Sequence, residues 1–248
     1  MMSLKAIFRI DSRVLYNAYL LRKREEGFIS YMKDFALNGY KSSKPVSNSP
    51  LRGYRILYLG SSVTNGSASG GVSFAEYIAE RNGTEYVKEA VNGTTLADGK
   101  DSYIERLRKL GAEMKFDLFI CQLSTNDAAQ KKPLGAPSLT EKPDTSTVCG
   151  AIEYIINYVR KTWACPVIFY TNSYYESENY LAMVEALDKI SELYRIGVTD
   201  LYRDSEFNNI SKEQRAFYMA DAIHPTRMGY RKWWTPKMET YIMGYLFN

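Results

Sequence analysis

The chain has 248 residues, 45% of them hydrophobic and 24% charged. That is an ordinary composition for a globular chain able to bury a sizeable core, and no uninterrupted apolar run approaches the ~20 residues of a membrane-spanning helix. The net charge of +4 is uneven: residues 1–50 carry nine Lys/Arg against four Asp/Glu, which leaves −1 for the remainder, too weak a basic stripe for a nucleic-acid binder.

Charges at Lys5, Arg9, Asp11 and Arg13 interrupt the N-terminus, so it offers no signal-peptide core. Cys121, Cys149 and Cys165 are odd in number and form no C-x-x-C pair. Reduced thiols and a cytoplasmic location are therefore expected. Arg13 to Leu37 is loosely helical, and Tyr40 to Gly53 is dense in Ser, Pro, Asn and Gly, as a loop or linker is. We divide the chain there, into a mainly helical N-terminal extension (1–50) and a principal domain (51–248). The extension is too short to bury a core alone; capping the site or mediating a homo-oligomer contact are its expected roles.

Beyond Arg55 strand-like and helix-like segments alternate. "RILYLG" (55–60) reads as a buried strand, "SFAEYIAERNG" (73–83) as a helix closed by glycine, and "TEYVKEAV" (84–91) as a second strand. A helix follows over 102–111, a strand over 115–123, a helix over 151–163 and a strand over 165–172. The last pair is a helix over 180–197 and a short strand over 198–202. Strands separated by helices imply βαβ units and a parallel sheet covered on both faces. In such sheets, chemistry gathers beyond the carboxyl ends of the strands.

After the first strand stands Gly60-Ser61-Ser62; after the second, Asn92-Gly93-Thr94; after the third, Ser124-Thr125-Asn126-Asp127. Near the C-terminus "DAIHP" holds Asp221 and His224, the only histidine in the chain. Singly these are weak signals. Together they offer a hydroxyl, backbone donors, a side-chain amide, an imidazole and a carboxylate, the set that serine-based acyl transfer needs. No metal-ligand cluster and no Gly-Lys-Ser/Thr phosphate loop is present, so no cofactor or metal is expected.

These blocks, in this order, resemble those of GDSL-type esterases of the SGNH hydrolase superfamily, whose signatures are G-D-S, a glycine after the second strand, G-x-N-D, and D-x-x-H-P. The resemblance spans residues 59–225 and leaves out those before Arg55. It implies an α/β fold, a three-layer α/β/α sandwich of flavodoxin-like type around a parallel sheet of about five strands. It also implies Ser62 as nucleophile, His224 as base and Asp221 as its orienting carboxylate. The oxyanion hole would be the N–H groups of Ser62 and Gly93 with the side-chain amide of Asn126. Ser61 replaces the family aspartate and Ser124 the first glycine of G-x-N-D; Ser61 is thereby an alternative hydroxyl or a substrate contact.

Pro225 stiffens the approach to His224 and can open the C-terminal helix. Asp127 is a further candidate for substrate contact, as are Tyr174 and Tyr175, since aromatic faces suit sugar rings. The expected activity is hydrolysis of a small-molecule or glycan ester with a short acyl group, such as an O-acetylated carbohydrate. An acyltransferase using the same site, or a carbohydrate-binding relative with little turnover, are the alternatives.

Overall fold

A computed structural model describes residues 45–247; the helical stretch expected between Arg13 and Leu37 lies outside them. Five strands are formed, β1 (Arg55–Gly60), β2 (Glu85–Ala90), β3 (Leu118–Gln122), β4 (Val167–Tyr170) and β5 (Gly197–Thr199). All pair in parallel, in the order β2-β1-β3-β4-β5. The order reverses at β1, which lies between β2 and β3, with Leu57 opposite both Val87 and Phe119. Such a switch point leaves a crevice beyond the strand ends, because the chain departs from β1 and β3 toward opposite faces.

Side-chain alternation sorts the strands into two cores. Leu57, Leu59, Phe119, Cys121, Val167 and Phe169 face one side, and Ile56, Tyr58, Leu118, Ile120, Ile168 and Tyr170 face the other. Both faces are apolar, so both must be covered, and the helices do this. In chain order they begin with α1 (Ser62–Asn65), α2 (Phe74–Asn82), α3 (Tyr103–Leu107), α4 (Thr125–Ala129) and α5 (Val148–Thr162). There follow α6 (Glu178–Tyr194), α7 (Ser205–Asn208), α8 (Lys212–Tyr218), α9 (Arg227–Gly229) and α10 (Thr235–Phe247), the last two joined by a π-helical turn at Tyr230–Trp234. Helices α3, α5 and α6 supply the first core; α2, the π turn and α10 supply the second. The result is the expected three-layer α/β/α sandwich. Among the described residues, no helix is long and apolar enough to cross a membrane.

Local sequence explains most boundaries. Helix α2 starts with a capping box: Ser73 Oγ accepts from Ala75 N–H, while the Glu76 carboxylate accepts from Ser73 N–H at 2.7 Å. The helix expected over 102–111 stops at Leu107, and the chain runs on in i→i+3 turns, Lys109 N–H to Arg106 O and Leu110 N–H to Leu107 O. Pro225 does not open the C-terminal helix. It pairs across an antiparallel bridge with Met219, and Thr226 is the cap of α9, its side chain accepting from Gly229 N–H.

The segment before β1 is tied to the domain from both sides of residue 50. Val46 N–H donates to Arg81 O at 2.7 Å, Ser49 Oγ donates to Asn82 Oδ1 at 2.7 Å, and Leu51 is buried. Beneath that contact, the Glu239 carboxylate on α10 accepts from Arg81 Nε at 2.8 Å and from Asn82 Nδ2 at 2.6 Å, which ties α10 to α2. Glu239 is only 6% exposed, so its removal leaves donors in poorly hydrated surroundings. Glu239→Ala is expected to lower the unfolding free energy by about 2–3 kcal/mol, read from urea denaturation.

Candidate active site

The sheet's switch point places the ends of β1 and β3 side by side, and the site grows from there. Ser62 is the first residue of α1, one residue beyond the end of β1. Its Oγ lies 2.8 Å from His224 Nε2. His224 Nδ1 lies 2.9 Å and 3.0 Å from the two oxygens of Asp221. The three side chains thus form one hydrogen-bonded series, although 162 positions separate the serine from the histidine.

The Asp221–His224 half is a local device. Asp221 Oδ1 also accepts from the N–H groups of Ile223 and His224, each at 2.8 Å, an Asx-type turn. The loop is clamped at its base by Ala220 N–H to His224 O and Thr226 N–H to Tyr218 O, both 2.8 Å. Partial burial acts upward on the Asp221 carboxyl. The bond from the His224 ring and the two N–H groups outweigh it and hold the group at about 2. The carboxylate therefore stays ionised throughout the working range of an imidazole.

Ser61 has a different place. It is fully buried, and its N–H and Oγ reach Gln122 Oε1 at 2.9 and 3.3 Å. The same oxygen accepts from Thr64 Oγ1 at 2.9 Å, and Thr64 Oγ1 meets Tyr170 OH at 2.6 Å. Tyr230 OH donates to Val63 O at 2.6 Å. Ser61 is thus part of the support beneath α1, and the hydroxyl directed at the imidazole is that of Ser62. Gly60 is required by space: a Cβ there would sit 1.7 Å from Thr64 Oγ1.

On the β2 side, Gly93 is required by conformation: its φ is +79, while the space a Cβ would enter is empty to 4 Å. Neither Ser62 N–H nor Gly93 N–H donates to an acceptor among the described residues. Asn126, in the first turn of α4, directs Nδ2 to Thr94 O at 2.9 Å, which brings its amide to the Gly93 loop. Ser124 caps α4, its Oγ accepting from the N–H groups of Asn126 and Asp127. Serine in place of the family glycine therefore gains a cap.

Asp127 lies under the site. It is fully buried, and its two oxygens accept from Leu96 N–H at 2.8 Å and Ala97 N–H at 3.0 Å. Burial pushes this carboxyl upward; the bonds it accepts act against that. Tyr175 and Tyr174 part company: Tyr175 lines a cavity of about 210 Å³ with Thr125, Asn126, Ala129, Ile223 and His224, whereas Tyr174 lines a neighbouring groove.

Two supporting residues are not legible as such in the sequence. Gln122 reads as one more position of a buried strand. Arg106 reads as the flank of a helix, yet it is 5% exposed and joins three segments. Its Nη2 donates to Gly60 O at 2.8 Å and Thr94 Oγ1 at 3.2 Å, its Nη1 to Glu89 O at 2.7 Å, and its Nε to Asp101 O at 3.0 Å.

A hydroxyl, an imidazole and a carboxylate in series at the carboxyl edge of a parallel sheet are the arrangement of α/β serine hydrolases. Residues 58–232 match the GDSL-like lipase/acylhydrolase family, and the chain belongs to that family. The fold is similar to that of a solved protein from Lactobacillus plantarum, with a TM-score of 0.66 and 20% identity over 79% of this chain and 99% of that one. It is also similar to a lipase/acylhydrolase from Enterococcus faecalis, with a TM-score of 0.54 and 18% identity over 77% of this chain and 96% of that one. No curated protein sequence matches the chain.

The Arg106 fork is open to test. Lysine keeps the charge but delivers a single point contact. Arg106→Lys is expected to cost about 1.5–3 kcal/mol in urea unfolding and to lower kcat on a small ester more than it changes KM.

Proposed function

We propose that this chain is a serine esterase that works through an acyl-enzyme, with Ser62 as nucleophile, His224 as base and Asp221 as the group that orients the imidazole. The observation that carries the reading is the Ser62 Oγ–His224 Nε2 contact of 2.8 Å, continued to a carboxylate held ionised. His224 takes the Ser62 proton as Oγ attacks the ester carbonyl. It then returns that proton to the departing alkoxide. Water, deprotonated by the same ring, attacks the acyl-enzyme, and the ring gives that proton to Ser62 Oγ as the acid leaves. The N–H groups of Ser62 and Gly93 and the Asn126 amide meet the oxyanion as it forms. Support comes from the two backbone donors having no acceptor among the described residues.

The cavity beside His224 is small, about 210 Å³, which favours a short acyl group such as acetyl. The exposed ring of Tyr174 in the neighbouring groove favours a ring-shaped alcohol, so an O-acetylated carbohydrate is the substrate class we assign. The His224 and Asp221 side chains are 21% and 42% exposed. That open access to water favours hydrolysis over transfer to a second alcohol; product analysis with and without an acceptor alcohol separates the two.

Ser62→Ala is expected to abolish turnover of a small activated ester, and Asn126→Ala to lower kcat a hundredfold or more, about 2.7–4 kcal/mol. Unchanged turnover in Ser62→Ala ends this assignment. The pH dependence follows from Asp221. Its folded-state value lies below the unfolded carboxyl value, so the stability it contributes is essentially complete above ~4 and is lost progressively as pH falls from there through about 2. Activity lost at pH ~4.5, below the imidazole range, should therefore be lost with the fold intact and recover fully on return to neutral pH. Irreversible loss there would mean that the Asp221 turn is not held as described.

A further inference from the structure

Next to the cavity at His224 lies a groove of about 500 Å³ that shares Glu176 and Ser177 with it as lining. Its face is aromatic and fixed. Tyr174 is 51% exposed, yet its N–H donates to Asn208 Oδ1 at 3.0 Å and its carbonyl accepts from Arg215 Nη2 at 2.8 Å. Its ring leans on Tyr202 with centroids 5.3 Å apart. Tyr202 is buried, and its hydroxyl donates to Tyr175 O at 2.8 Å. The floor of the groove is thereby joined to the wall of the catalytic cavity. An exposed aromatic ring whose backbone is held at both ends contributes contact area with little ordering cost.

The charges along this groove do not cancel. Arg203 is engaged by Asp188 at 2.7 Å and Asp200 at 2.5 Å, and Asp204 is engaged by Lys237 at 2.5 Å. Arg215 lies behind the Tyr174 carbonyl. Glu176 and Glu178 also line the groove, and neither has a cationic partner among the described residues. Two uncompensated carboxylates beside an exposed tyrosine face make a setting for a positive charge: the ring quadrupole and both carboxylates attract it.

Resting on the esterase reading, we infer that this groove binds the alcohol part of the ester and selects an alcohol carrying a protonated amine, such as an O-acetylated amino sugar with a free amino group. The ring stacks on Tyr174, the ammonium faces Glu176 and Glu178, and the acetyl carbonyl lies at Ser62.

The test compares 6-O-acetylglucosamine with 6-O-acetylglucose, which differ only in an ammonium against a hydroxyl. At low ionic strength kcat/KM is expected to be about tenfold higher for the amine, with the ratio shrinking in about 0.5 M NaCl. In a Glu176→Gln/Glu178→Gln double variant the ratio should fall to about one, the neutral ester reporting on catalysis in the same protein. Equal kcat/KM for the two esters in the wild-type chain, or a ratio untouched by the double variant, overturns the groove assignment and leaves the esterase reading standing. Hydrolysis of a small activated ester but of neither sugar ester also overturns the groove assignment, whereas failure on all three strikes the esterase reading instead. In that case binding decides the groove. Ser62→Ala protein titrated with a glucosamine trimer should bind it more tightly than a glucose trimer and lose that difference with Glu176→Gln/Glu178→Gln; equal binding overturns the inference.

Discussion

Four donors converge on one oxygen. Gln122 Oε1, at the end of β3, accepts from Ser61 N–H, Ser61 Oγ, Thr64 N–H and Thr64 Oγ1 at 2.9 to 3.3 Å. That convergence fixes the turn leaving β1, and with it the position of Ser62. It also fixes the amide's orientation, because a reversed Gln122 would set its NH₂ against the same donors. The cost is on the other side of the group. Gln122 Nε2 is buried with no hydrogen-bond partner among the described residues, a desolvation penalty of about 1–3 kcal/mol. A chain that keeps such a group has placed geometry at the turn above stability.

A second clamp works from the opposite edge. Arg106 draws together Gly60 O, Glu89 O and Thr94 Oγ1, so the end of β1, the end of β2 and the loop bearing Gly93 move as one body. Asp127 fastens the continuation of that loop through Leu96 and Ala97, and Asn126 fastens its start through Thr94 O. The loop bearing Gly93 is therefore held largely by two buried, charged side chains, Arg106 and Asp127. Charge-assisted bonds of this kind are about twice as strong as neutral ones, which suits a loop whose glycine could otherwise adopt many conformations.

How much of this is legible in the sequence depends on the range of each interaction. The Asp221–His224 pair can be read because both ends lie within one turn, where spacing alone dictates contact. The parallel sheet can be read because its strands are apolar on both faces and divided by helical periods. Gly60 and Gly93 stand out by position, though the reasons differ: one answers to Thr64 pressing on it, the other to a positive φ. What stays hidden is the direction of side chains across elements. Asp127, in the block that follows the third strand, reads as a candidate substrate contact. One position along the helix from Asn126, its side chain points inward, to two backbone amides in another loop. Gln122 and Arg106 carry no sequence signal at all, since a polar residue in a strand or on a helix flank is commonplace.

The two departures from the family pattern find their explanation in the same network. With Ser61 in place of aspartate the chain carries no anion under the turn, and a neutral amide oxygen from β3 receives the turn's donors instead. Thr64 extends that arrangement to Tyr170, whose hydroxyl lies in the aromatic core under α1, so support for the turn reaches into the packed interior. Ser124 compensates for the lost glycine by capping the helix that carries Asn126. Both substitutions exchange backbone freedom or charge for a neutral hydrogen bond to a neighbour already in place. The turn under Ser62 is thus supported by neutral groups, while Asp221 is the carboxylate hydrogen-bonded to the imidazole.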